Sequence, residues 1–143
     1  MSAHSSVIHQ NALLHEKARL FLDSELTKAG HPDIKSSHGD LFAVLFEHDK
    51  VTLTELASLC ERSKSTVSVM VDHLQKKGYV IKEKTRDQDA RSVFVSLTVE
   101  GRKLQKIFNE ISDKMQARLE GIFSEDELQL LEKMLKKAAT KFS

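Results

Sequence analysis

Cysteine is almost missing from this chain. Cys60 stands alone among 143 residues, so no disulfide can close within the chain, and a reducing, cytoplasmic compartment is expected. Proline is as scarce: Pro32 is the single one, beside five glycines. That balance excludes a collagen-like repeat and a Pro/Gly-rich disordered tract. No stretch approaches the roughly 20 apolar residues that span a bilayer, so no membrane partner is expected. The first residues lack the basic segment and apolar run of a secretory signal. A P-loop, a nucleophile elbow and a paired metal-ligand motif are all missing. The expectation is therefore a chain that is not an enzyme, with no catalytic residue, no cofactor and no metal site. Seven histidines are present, His4, His9, His15, His31, His38, His48 and His73. None makes a close helical pair with a nearby acid that would mark a metal site.

A strong charge imbalance is missing too, since the net charge is +1. Its distribution is uneven. Residues 1–62 carry a net −3, residues 63–92 a net +3 and residues 93–143 a net +1. The basic excess falls on the stretch with the clearest local signals, residues 52–78.

That stretch reads as two short helices and a tight turn. Thr52 and Glu55 form a capping box, with Val51 and Leu56 as its hydrophobic staple. The first helix runs to about Cys60 and is expected to bury Leu56, Ala57, Leu59 and Cys60. Glu61 and Arg62 form the turn. Ser63 caps the second helix, in which Val67, Val71 and Leu74 recur as one buried stripe. Gly78 ends it in the left-handed position. The exposed face carries Lys64, Ser65, Thr66, Ser68, Val69, Asp72, His73 and Lys76. Short hydroxyls allow close approach to a duplex groove and lysines meet phosphates; an ordinary solvated surface also tolerates these residues.

Around this unit the periodicity places the other elements. A long helix from Val7 to about Ala29 carries Leu14, Ala18, Phe21, Leu22, Leu26 and Ala29 on one stripe and stops at Gly30 and Pro32. A second helix follows, capped by Ser36 or Ser37, with Leu41, Phe42, Leu45 and Phe46 inside. After Gly78 the period changes to 2: residues 79–84 and 92–97 read as strands, joined by a charged loop at 85–90. Thr98 caps a fifth helix to about Ile122, striped by Leu104, Ile107, Phe108, Ile111, Met115, Leu119 and Ile122. Ser124 and Glu127 cap a sixth, expected to bury Leu128, Leu131, Met134, Leu135, Ala138 and Phe142. Helix, turn, helix and hairpin in this order make a winged helix-turn-helix. The fold class is mainly α with a small β-hairpin wing, flanked by long N- and C-terminal dimerisation helices.

Those outer helices hold more apolar surface than a module of about 60–70 residues can cover. A two-fold dimer is the commonest way to cover it, so a homodimer is expected. The expected division is 1–35, an N-terminal dimerisation helix, 36–98, the DNA-binding region, and 99–143, the C-terminal dimerisation helices.

The segments SKSTVS (63–68), LQKKGYV (74–80), the Asp89–Ala90–Arg91 stretch and VSLTVEG (95–101), in this order of elements, resemble the MarR family of bacterial transcription regulators. The resemblance covers roughly residues 7–142. It implies a homodimer on a pseudo-palindromic double-stranded DNA operator, with residues 64–77 in the major groove and the hairpin in the minor groove. By position, Arg91 matches the family's wing arginine and Asp89 its carboxylate partner, while Ser65, Thr66 and Ser68 match hydroxyl positions on the DNA. Val69 and His73 depart from the arginine found in many members; a valine can pack on a thymine methyl. Ala90 and Ser92 leave the wing short of arginine, with Arg86 nearby. The DNA-contacting set is thus Ser63, Lys64, Ser65, Thr66, Ser68, Val69, His73, Lys76, Arg86, Asp89 and Arg91.

Members of the family often respond to a small ligand, an oxidant or a metal. Cys60 lies on a buried stripe, where cysteines pack rather than react. A small-molecule effector is the leading expectation, with His15, Arg19, His38 and Phe42 as candidate ligand contacts. The function expected is a repressor of transcription released by that effector. The alternative is a winged-helix protein–protein assembly module without sequence-specific DNA binding.

Overall fold

The computed structural model describes residues 6–84 and 92–142. The chain forms two compact units, divided within a long helix between Phe108 and Asn109.

The first unit opens with helix α1 (Val7–Lys28). It stops where Gly30 takes φ +92°, with the Gly30 and His31 amides donating to the Thr27 and Leu26 carbonyls. A 3-10 turn (Ser36–His38) leads into α2 (Gly39–Phe46). Neither Ser36 nor Ser37 makes the expected side-chain cap. A partner 13 residues away takes that role: the Asp23 carboxylate accepts the Ser36 amide at 2.7 Å. The His38 Nδ1 accepts the Lys35 amide at 3.1 Å.

Next come β1 (Val51–Thr52), α3 (Leu53–Leu59), α4 (Lys64–Lys76), β2 (Val80–Lys84), β3 (Val93–Leu97) and α5 (Val99–Glu120). The hairpin strands fall where the period of 2 placed them. They form an antiparallel sheet in the order β1-β3-β2, with Val51 opposite Val95 and Val80 opposite Leu97. Strand β1 was not foreseen, because two residues are too few to show a period.

Leu41, Phe42, Leu45, Leu56, Val67, Val71, Leu74 and Val95 are fully buried, each stabilising the unit by roughly 1.5–3 kcal/mol. Phe42 lies at their centre, 4.9 Å from the Phe108 ring, 5.8 Å from Phe46 and 6.3 Å from Tyr79. Phe46, expected inside, is half-buried. The expectation for α3 also needs correcting: Leu59 is 53% exposed and Cys60 half-buried. Leu56 and Ala57 take the inner face, and Leu59 lies about 200° round the helix from Ala57 at about 100° per residue.

The start of α5 is locked to the end of α4. Thr98 Oγ1 accepts the Gly101 amide at 3.0 Å, the expected cap, and donates to the Gly78 carbonyl at 2.6 Å. Gly101 passes so close to Tyr79 that an added Cβ would lie 2.1 Å from its carbonyl oxygen.

The second unit holds the remainder of α5 and helix α6 (Glu125–Lys141). Its capping box is formed: Ser124 Oγ accepts the Glu127 amide at 3.2 Å and Glu127 Oε1 accepts the Ser124 amide at 2.9 Å. No residue of α6 is buried. Leu128 and Leu131 are half-covered, while Met134, Leu135, Ala138 and Phe142 are exposed, contrary to expectation. They belong to an apolar face that one chain leaves open.

Candidate nucleic-acid interface

The interface begins at the turn between α3 and α4. Thr52 Oγ1 accepts the Glu55 amide and the Glu55 carboxylate accepts the Thr52 amide, both at 3.1 Å. At its other end α3 closes with the Arg62 amide on the Ala57 carbonyl and the Glu61 amide on the Ser58 carbonyl, the Schellman pattern. Glu61 takes the left-handed position at φ +54°, a place usually held by glycine. Arg62 then reaches back to the Asp40 carboxylate at 3.2 Å, which ties the turn to the first turn of α2.

Ser63 caps α4, its Oγ accepting the Thr66 amide at 3.2 Å. The same oxygen lies 2.7 Å from Thr66 Oγ1 and 3.2 Å from Ser65 Oγ. Three hydroxyls are thereby gathered over the first turn of α4, where the helix dipole is positive and free amides favour an anion. Val67, Val71 and Leu74 lock the opposite face into the core at 0% exposure. Lys64, Ser65, Thr66, Val69, His73 and Lys76 remain exposed, and Ser68 is half-buried. Val69 is 70% exposed, so its methyls are presented outward.

Two features of α4 were not legible in the sequence. Asp72, a negative charge on this face, is paired with Lys82 of β2, which neutralises it and joins α4 to the hairpin. His73 stacks on His38, ring centroids 5.5 Å apart and planes within 22°. The sequence signal for each is weak, since the partners are 10 and 35 residues apart. Lys50 places its ammonium 4.9 Å over the Phe94 ring. The hairpin is described as far as Lys84 and again from Ser92. Arg86, Asp89 and Arg91 lie outside the described residues.

Of the ligand candidates, His15 is exposed on α1. Arg19, one turn on, is held by Glu16 at 2.6 Å and by Asp23 at 3.1 Å. Asp23 in turn holds the Ser36 amide, so Arg19 and the 3-10 turn that bears His38 share one carboxylate. His38 is 8% exposed, and Phe42 is wholly inside the aromatic cluster. Burial lowers the proton affinity of the His38 ring, with His73 adding to the effect. Nearby, the Tyr79 hydroxyl donates to Asp33 at 3.2 Å and lies 3.4 Å from His31 Nδ1. Burial pushes that phenol up, helped by Asp33. Burial also pushes the Cys60 thiol up, with the Asp40 carboxylate second, which works against thiolate reactivity.

The MarR family model matches residues 37–93. The uncharacterized HTH-type transcriptional regulator YcgE of Bacillus subtilis (strain 168) is 31% identical over 107 residues, covering 75% of this chain and 66% of that protein. This chain thus spans just under two thirds of that relative's length. Among solved structures, that of the S. aureus MepR–DNA complex matches with a TM-score of 0.86 at 24% identity, over 98% of this chain and all of that one. The PcaV regulator of Streptomyces coelicolor, in complex with its natural ligand, matches with a TM-score of 0.86 at 16% identity, over 100% of both chains. At these identities the two structures establish the winged-helix fold.

Proposed function

We propose that this chain, whose residues 37–93 match the MarR family model, is a regulator of that family and acts as a homodimeric, sequence-specific DNA-binding repressor. Helix α4 enters the major groove, and the hairpin of β2 and β3 reaches the minor groove. The observation that carries this reading is the face of α4: a capped first turn with three gathered hydroxyls, then Val69, His73 and Lys76 exposed in line, with Asp72 neutralised from the hairpin. Lys64 and Lys76 meet phosphates, Ser65, Thr66 and Ser68 approach phosphates or base edges, and Ser63 is held mainly as the cap. Arg91 and Asp89 enter on sequence resemblance, as a minor-groove contact and its carboxylate support, and Arg86 as the nearby arginine of the same loop.

The dimer forms through residues 1–35 and 99–143, with 36–98 as the DNA-binding region. The open apolar face of α6 supports this. The effector is a small molecule, a reading supported by the structure of NadR in complex with 4-hydroxyphenylacetate; His15, Arg19, His38 and Phe42 are its first residues to test. The working compartment is the cytoplasm.

The test is binding of the purified protein to the DNA upstream of its own gene and to duplexes selected from a random library, titrated over salt. Specific binding with a log–log salt slope of several units, weakened by Lys64→Glu, is the expected outcome. If no selected duplex binds better than random DNA, the reading fails and an assembly module takes its place.

A further inference from the structure

Helix α4 meets the 3-10 turn in the stack of His73 on the buried His38. His73 is exposed and lies on the same face as Val69 and Lys76. His38 is 8% exposed, and its ring is anchored by the Lys35 amide at 3.1 Å. That amide donates to Nδ1, so the ring carries its proton on Nε2. The two rings lie 5.5 Å apart and within 22° of parallel. An unsupported surface histidine samples several rotamers, and ordering it on DNA costs affinity. A ring stacked on a fixed partner has lost that freedom on folding.

We propose that His38 is a positioning residue for DNA recognition, holding the His73 imidazole in the orientation in which α4 presents it to the duplex. The proposal rests on the DNA-binding reading above and adds a residue that does not itself touch DNA. It also gives the binding an acid limit. A proton on Nδ1 of His38 would oppose the Lys35 N–H and break the anchoring bond. The groups facing His38 are Asp23 from α1, Asp33 and Lys35 from the segment before the 3-10 turn, and His73 from α4. Burial lowers its proton affinity most, His73 and Lys35 act in the same direction, and Asp23 and Asp33 oppose them. The folded arrangement therefore binds fewer protons than the unfolded chain. Its stability is complete above the ordinary histidine value of 6.5 and is lost as pH falls through the lowered value. Specific affinity should fall with it.

The experiment is a double-mutant cycle on the full chain. The probes are the duplex that the wild-type protein selects from a random library, and random duplex as control. The variants are His73→Ala, His38→Asn and the pair; asparagine keeps an acceptor for the Lys35 amide but neither stacks nor titrates. The expected result is a loss of about tenfold for each single variant, no further loss in the double, and an affinity in His38→Asn that no longer drops on acidification. Additive losses of about a hundredfold, or wild-type affinity in His38→Asn, overturn the proposal while leaving the DNA-binding reading intact. Failure of the wild-type protein to prefer any duplex removes both. Should His38→Asn not fold, imidazole 15N shifts of the wild type against pH decide the matter. The proposal requires the specific affinity to fall where His38 gains its second proton, and a fall elsewhere overturns it.

Discussion

Residues 34–104 and helix α6 are written in the same alphabet of leucine stripes and capping boxes, yet they end up differently. All the buried hydrophobic residues except Leu26 and Ile111 fall within 34–104, while α6 buries none. In the first region short elements cover one another on several sides: α2, α3, α4 and the sheet close around Leu41, Leu45, Leu56 and Val71. In α6 the stripe stays open, with Met134 59% and Phe142 82% exposed. An amphipathic pattern states that a face must be covered. It does not state what covers it.

The sharpest way to separate the two regions is to cut each at its apolar centre. Phe42→Ala should destabilise the chain by about 3–5 kcal/mol, as read by urea unfolding. A loss below about 1 kcal/mol would mean that the aromatic cluster is not the keystone of the first region. Gly101→Ala should cost about 1–3 kcal/mol, because its Cβ would have to displace the Tyr79 carbonyl. Wild-type stability would show that the α4–α5 joint has slack. Ser63→Ala should remove about 1 kcal/mol and weaken DNA binding, since the same hydroxyl organises Ser65 and Thr66. Glu61→Gly should go the other way, raising stability by about 0.5–1 kcal/mol by relieving a left-handed glutamate. Met134→Asp should leave the unfolding free energy of dilute monomer in urea within about 0.5 kcal/mol of wild type and yet abolish the dimer in sedimentation. A dimer that survives it would place the self-association surface away from α6.

The same contrast explains what could be read from the sequence. Caps are local: Thr52, Ser63, Thr98 and Ser124 each meet an amide three residues on, and each was legible. The hairpin was legible because its period of 2 lasts five residues a side. What escaped depends on distance along the chain. Asp23 caps Ser36 across 13 residues, Arg62 meets Asp40 across 22, and His73 finds His38 with no periodicity to announce it. Leu59 was misplaced because a seven-residue helix gives a stripe too few turns to define its centre. Of the interface, the helix face was readable and its internal wiring was not. The wing residues Asp89 and Arg91 rest on resemblance alone, and Arg86 on its place in the same charged loop.

The Thr98 hydroxyl has a mechanical consequence. It holds the Gly78 carbonyl, two residues past α4, and caps the first turn of α5 at once, while the Thr98 amide donates to the Tyr79 carbonyl at 3.0 Å and Gly101 abuts that same oxygen. A joint pinned at so many atoms within four residues is expected to act as a welded elbow, so that a tilt applied to the first turns of α5 arrives at the end of α4 as torque; the Gly101→Ala variant measures how much slack it has.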